Sequence, residues 1–137
     1  MTNKQITVVT WIFRLTAAFI MGQTLFFKFT AAPESVYIFS TLGMEPWGRI
    51  GIGVLELIAS LLILIPYTTA FGAAIGLGLM SGAMFFHLTR LGIVVQNDSG
   101  QLFAYALVVF ISCVILVVLC REQLLRVLHR KKSTPHA

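Results

Sequence analysis

The apolar residues of the chain fall into four long runs that shorter polar segments separate. Each run is close to the ~20 residues that an α-helix needs to cross a hydrocarbon core of ~30 Å. A spanning segment must satisfy its own backbone hydrogen bonds, and no recurrent alternation of apolar and polar residues indicates a membrane β-barrel. The predicted spans cover residues 7–29, 47–65, 69–89 and 102–120. We therefore predict an all-α membrane protein, with a four-helix transmembrane bundle in one domain over residues 1–120.

The segments between these spans differ in character. The first, residues 31–43, is long and half apolar, with Pro33 suited to a helix start and Gly43 to a helix end. We predict a short interfacial helix here, between the first and second spans. Pro66 marks a tight turn between the second and third spans, and residues 93–100 form a polar loop before the fourth.

The composition agrees with this architecture. Of the 137 residues, 58% are hydrophobic and 11% are charged, against roughly 45–50% and about 25% in soluble domains. These fractions exclude a disordered chain, a nucleic-acid-binding domain and an ordinary cytosolic enzyme.

The net charge of +5 sits at the two ends of the chain. Between residues 5 and 120, four Lys or Arg residues balance four Asp or Glu residues. The excess comes from Lys4 and from residues 121–137, where five Lys or Arg residues stand against Glu122. The positive-inside rule predicts cytoplasmic termini, so residues 121–137 are predicted as a basic cytoplasmic tail. The expected partner of such a flank is anionic lipid in the bilayer and not nucleic acid. The oligomeric state stays open.

Several polar residues interrupt the spans and are candidates for a polar cavity. They are Arg14, Gln23, Lys28, Arg49, Glu56 and His87. An ionisable group at bilayer depth costs about 2.5–3.5 kcal/mol and normally faces the bundle interior with a partner. Because the first two spans run antiparallel, Arg14 and Glu56 lie at similar predicted depths, and we predict an ion pair between them, either direct or bridged by water.

The predicted cavity opens to the outer side of the membrane, with Glu56 near its floor. Lys28, Arg49 and His87 fall near the outer ends of their spans, and Asp98 lies in the loop before the fourth span. Together they form a predicted mouth. The alternative is structural: the Arg14–Glu56 pair locks two helices together, and His87 is a hydrogen-bonded interfacial histidine.

The cysteine and histidine positions do not indicate a redox or metal site. Cys113 and Cys120 are seven residues apart on one predicted helix, about 10.5 Å along its axis and beyond the ~7 Å Cα limit of a disulfide. No Cys-x-x-Cys motif is present, and the histidines lack metal-ligand spacing. We therefore expect no metal site and no intrinsic cofactor.

Three segments carry a family resemblance: GQTLFFKF at residues 22–29, GIGVLEL at residues 51–57 and GAMFFHL at residues 82–88. In order and spacing they resemble the DoxX family of small four-helix bacterial membrane proteins. The resemblance implies a location in the bacterial cytoplasmic membrane. It also implies a membrane subunit of a quinone- or thiol-linked oxidoreductase system, with a partner oxidoreductase. The family positions are Lys28, Glu56 and His87, with no established catalytic role to carry over.

Two functional hypotheses remain open. In the first, an apolar pocket binds a quinone, with Glu56, His87 or Lys28 forming hydrogen bonds and handling protons. In the second, the chain is a non-enzymatic membrane assembly or binding module whose buried charges are structural. The sequence contains no autonomous catalytic motif, so whether the protein is an enzyme is undecided.

Overall fold

The computed structural model describes residues 1–132, which form six α-helices and one π-helical turn. The helices are α1 (Asn3–Phe29), α2 (Pro33–Thr41), α3 (Trp47–Leu64), α4 (Thr69–Phe86), α5 (Gln101–Leu119) and α6 (Arg121–Lys132). The π-helical turn, His87–Leu91, continues directly from α4. In this part of the chain, four helices are long and apolar enough to cross a membrane: α1, α3, α4 with the π turn, and α5. The predicted all-helical membrane fold is confirmed.

Local capping explains where the helices differ from the apolar runs. The Thr2 hydroxyl accepts a hydrogen bond from the Gln5 amide at 3.2 Å, and the Gln5 side chain accepts one from the Thr2 amide at 2.9 Å. This reciprocal capping box starts α1 four residues before the predicted span, because it satisfies amides that would otherwise lack acceptors. The predicted short helix between the first two spans is α2, with Pro33 in its first turn.

The four candidate spans pack as a ring in the order α1, α3, α4 and α5, and α5 returns to α1. Their inner faces meet in a core of small and medium apolar residues that includes Ala17, Met21, Ile63, Val109 and Leu116. Many large apolar side chains point outward instead, and Phe19 is 74% exposed. In water such a surface would be unstable, so the outer face is the one that contacts lipid.

Glycine allows a close contact between α3 and α4. A Cβ atom added at Gly72 would lie 2.6 Å from the Ala59 carbonyl oxygen and 2.6 Å from the Ile63 amide nitrogen. Both contacts are with backbone atoms, which have no rotamer to change. Gly72 therefore sets the distance between these two helices.

The predicted tail is helical where it is described. The Gln123 side chain of α6 accepts a hydrogen bond from the Ala70 amide at 2.9 Å and donates one to the Pro66 carbonyl at 2.7 Å. These bonds dock the start of α6 on the turn between α3 and α4, where backbone groups lack partners within their own helix. Residues 133–137 of the predicted tail lie outside the described part.

Candidate functional site

Two arginines fix the register between the antiparallel helices α1 and α3. Near one end, the Arg14 guanidinium donates from Nε to the Ile63 carbonyl at 2.8 Å and from Nη2 to the Leu64 carbonyl at 2.5 Å. At the other end, the Arg49 guanidinium donates to the Lys28 carbonyl. Arg14 is therefore level with the end of α3, and Lys28 is level with its start.

The predicted Arg14–Glu56 ion pair is wrong, and the direction of helical side chains explains why. Glu56 precedes Ile63 by seven residues, or about 10.5 Å along the helix axis. Side chains of a helix lean toward its N-terminus. Arg14 accordingly leans away from Glu56, and its guanidinium lies 3.6 Å from the centroid of the Trp11 ring. It satisfies the last carbonyls of α3, which have no donors within the helix.

Glu56 instead forms an ion pair with Lys28. The Lys28 Nζ lies 3.0 Å from the Glu56 Oε2, and the two side chains are 14% and 5% exposed. Both side chains lean toward the N-termini of their own helices, and in antiparallel helices this brings them toward each other. The Thr24 hydroxyl donates to the Met21 carbonyl at 2.9 Å and lies 3.3 Å from the same Glu56 oxygen.

The Lys28–Glu56 pair lies on the wall of a cavity of about 830 Å³. The cavity lies among α1, α2, α3, α4 and α5, in the half of the bundle that is far from both termini. Four of the predicted site residues line it: Gln23, Lys28, Glu56 and His87. Most of the other lining residues are apolar, among them Phe27, Ile38, Phe39, Leu79, Met80 and Phe86. Arg14 and Arg49 do not line it.

His87 begins the π-helical turn that ends α4. Its Nδ1 lies 2.9 Å from the Gly92 carbonyl oxygen, and its ring packs edge-on against Phe103 with 5.7 Å between centroids. Gly92 has a φ of +77°, a conformation that favours glycine. The π turn and this glycine together hold the buried imidazole at the cavity wall. Turns of this type are frequent at functional sites.

Of the four polar residues predicted at the mouth of the cavity, two line it and two do not. Lys28 and His87 line the cavity, whereas Arg49 pairs with Glu45 in the turn before α3, with Nε 2.8 Å from Oε1. The Asp98 carboxylate turns to the backbone and accepts hydrogen bonds from the amides of Val95, Gly100 and Leu102. Asp98 therefore orders the loop before α5 and stabilises the first turn of that helix.

The environment of Asp98 predicts a pH dependence of stability. Partial burial raises the pKa of this carboxyl group, but the three backbone hydrogen bonds and the nearby His87 lower it more, so the net pKa is below its ordinary value. A lowered pKa stabilises the folded state above the unfolded pKa of about 3.9, and this contribution disappears as the pH falls through the folded pKa. In Asp98→Asn we expect the stability to depend less on pH in that window. At neutral pH the free energy of unfolding should fall by about 0.5–2 kcal/mol. Thermal unfolding in one detergent between pH 7 and 3 checks this.

The control for that series is Glu122→Gln, which removes an exposed carboxylate from α6. An Asp98→Asn profile that overlays the wild-type profile, as the control profile should, would contradict the role of Asp98.

Six polar residues that line the cavity were not predicted from the sequence: Thr24, Glu34, Ser35, Gln96, Gln101 and Tyr105. Thr24 lies one helical turn before Lys28, and the buried Ser35 lies on α2. Tyr105 accepts a hydrogen bond at its hydroxyl from the Gln101 amide at 2.7 Å, and both line the cavity. The four-residue spacing of Gln101 and Tyr105 was the available signal, because it places both on one face of a helix.

The cysteines and metal-binding residue types show no cluster in the described part of the chain. Cys113 is buried in the core and Cys120 ends α5, and both are free thiols. Within residues 1–132, no group of three or more His, Cys, Asp or Glu residues is placed to hold a metal ion.

One protein family matches most of the chain. The model of the DoxX-like family matches residues 12–118. No curated protein and no solved structure matches the chain. The matched segment runs from α1 to the end of α5 and includes the Lys28–Glu56 pair and His87. It covers well over half of the sequence, so the resemblance seen in the motifs is confirmed and the chain belongs to the DoxX-like family.

Proposed function

We propose that this protein is a membrane subunit that binds a quinone for a partner oxidoreductase. One observation carries the proposal: an ion pair between Lys28 and Glu56 lies on the wall of a largely apolar cavity inside a membrane bundle. A buried pair of this kind is a weak source of stability, because desolvation of the two charges offsets their attraction. Ligand binding would explain why the pair lies at the edge of the cavity.

The cavity fits an amphipathic ligand with a small polar ring and an apolar body. Its volume of about 830 Å³ is within the usual range of roughly 300–1,000 Å³ for ligand pockets. The Lys28 ammonium has hydrogens beyond the one that points at Glu56, and the Tyr105 hydroxyl donates while it accepts from Gln101. These donors suit the carbonyl oxygens of a quinone, and the Phe27, Phe39 and Phe86 side chains suit its ring and tail.

The proposal assigns the electrons to the partner protein. The partner oxidises its own substrate and delivers two electrons, and conversion of a quinone to a quinol also takes up two protons. The residues of this chain bind the headgroup, orient it and exclude bulk water. Glu56 and His87 are two ionisable side chains of the cavity wall that can hold a proton beside the headgroup.

The orientation belongs to the same proposal. The charge pattern supports cytoplasmic termini in a bacterial cytoplasmic membrane. The cavity then lies in the outer half of the bundle, since it is lined by the end of α1, the start of α3, the end of α4 and the start of α5. A partner that delivers electrons to this cavity would dock on the outer face.

A cavity-filling variant tests the proposal. Gly82 lines the cavity, and a Cβ added there has no heavy atom within 4 Å. Gly82→Leu should occupy the cavity without a clash and should abolish co-purification of a quinone in mild detergent. Gly51 is equally free of neighbours but lies outside the cavity lining, so Gly51→Leu is the matched control and should retain the quinone. Mass spectrometry of the co-purified small molecules is the readout.

The second candidate is a non-enzymatic assembly module. It is favoured by the roles of Arg14 and Arg49, which donate to main-chain carbonyls and tie α1 to α3. Lipid alone in the wild type and both variants, with a stable partner complex in each, would establish this alternative and overturn quinone binding.

A further inference from the structure

Two acceptor atoms of the cavity wall, on the largely buried residues Glu56 and His87, lack a donor from the described part of the chain. Oε2 of Glu56 faces Lys28 and Thr24, but within residues 1–132 no group donates to its Oε1. The Nδ1 of His87 lies against a carbonyl oxygen, which can only accept, so Nδ1 carries the proton. In the neutral imidazole, Nε2 is then an acceptor, and no group in the same part of the chain donates to it.

These acceptors face open space. Among residues 1–132, every side-chain nitrogen or oxygen that is sealed from open space has a hydrogen-bond partner. Oε1 of Glu56 and Nε2 of His87 have none, so both reach open space, and both residues line the cavity. Their residues are otherwise buried. Water can donate to them, but a ligand that displaces this water must supply donors of its own or lose affinity.

We propose that the cavity prefers the reduced, hydroxyl-bearing form of its ligand, a quinol, over the oxidised quinone, a preference that rests on the function proposed above. A hydroxyl both accepts and donates, so one quinol hydroxyl accepts from Lys28 and donates to Glu56 Oε1. A second hydroxyl is the matching donor for His87 Nε2. A quinone carbonyl only accepts, so a quinone that displaces the cavity water leaves both acceptors without a donor.

Glu56→Gln should weaken or reverse this preference. The amide oxygen of the new side chain stays with the Lys28 and Thr24 donors, and the amide NH₂ then occupies the position of Oε1. An acceptor on the cavity wall thereby becomes a donor, which suits a quinone carbonyl. Tyr105→Phe is the matched control, because it removes a donor of the cavity wall and leaves both acceptors in place.

The test measures binding of one short-tailed benzoquinone and of its hydroquinone to the purified protein, anaerobically and in one detergent. We expect the wild type and Tyr105→Phe to bind the hydroquinone at least about tenfold more tightly. In Glu56→Gln, whose folding is checked by thermal unfolding, the ratio should fall toward or below unity.

The outcomes are distinguishable. Equal affinities, or tighter binding of the quinone by the wild type, would overturn this inference and leave the proposed function standing. A Glu56→Gln protein that keeps the wild-type ratio would overturn the assignment of the acceptor to Glu56. Binding of neither form by the folded wild type would overturn the proposed function itself.

Discussion

Lys28→Met is expected to lower the free energy of unfolding by about 3–5 kcal/mol, the usual cost of removing one partner of a buried ion pair. The substitution leaves the Glu56 carboxylate buried in the bundle, and within residues 1–132 its remaining donor is the Thr24 hydroxyl at 3.3 Å. Met has nearly the length of Lys, so packing changes little. Unfolding in a fixed detergent, by heat or by titration with a denaturing detergent, measures the effect.

Glu56→Gln should lower the free energy of unfolding less than Lys28→Met does. The double substitution should recover most of the stability that Lys28→Met loses. Glu56→Gln leaves an ammonium whose side chain is 14% exposed and able to turn toward cavity water. Lys28→Met combined with Glu56→Gln removes both charges, which often costs little. The matched control is Arg90→Met, which removes an exposed cation from the π turn. Additive effects of the two single substitutions would contradict the ion pair.

Gly72→Ala should also have a large effect. We expect overpacking to lower its free energy of unfolding by about 1–3 kcal/mol. The added methyl group would meet the Ala59 and Ile63 backbone at 2.6 Å, so α3 and α4 must separate. Because the strain spreads along the α3–α4 interface, the midpoint of unfolding in a fixed detergent should fall.

Gly78→Ala is the control for this prediction. It lies on the same helix, and an added Cβ there has no heavy atom within 4 Å. Alanine has a higher helix propensity than glycine by roughly 0.8–1 kcal/mol, so this variant should be at least as stable as the wild type. Equal midpoints for Gly72→Ala and Gly78→Ala would contradict the close contact between α3 and α4 at Gly72.

Hydropathy alone predicted the spans, because the bilayer requires about the same length of apolar helix at each crossing. It did not locate the first turn of α1, where the Thr2 and Gln5 side chains extend the helix into polar sequence. It also missed the folded start of the tail. The basic residues indicated a flank in water and lipid, whereas the Gln123 side chain docks that segment on unpartnered backbone.

The site was harder to predict than the spans, for a physical reason. The sequence singled out Lys28, Glu56 and His87, but depth in the membrane could not decide which cation pairs with Glu56. The direction of the Cα–Cβ bonds decides it, since Arg14 leans toward Trp11 and Lys28 leans toward Glu56. A rule that adds this direction to helical depth would have selected Lys28.

Cross-linking with a photoreactive quinone is the direct test of the proposed binding of a quinone in the cavity beside the Lys28–Glu56 pair. The purified protein is labelled, digested and mapped by mass spectrometry, with and without an excess of unlabelled quinone. We predict labels within residues 20–28 and 78–87, which border the cavity, and their loss with the competitor or in Gly82→Leu. Labels confined to lipid-facing residues such as Phe19 and Val118, unchanged by the competitor, would contradict the claim.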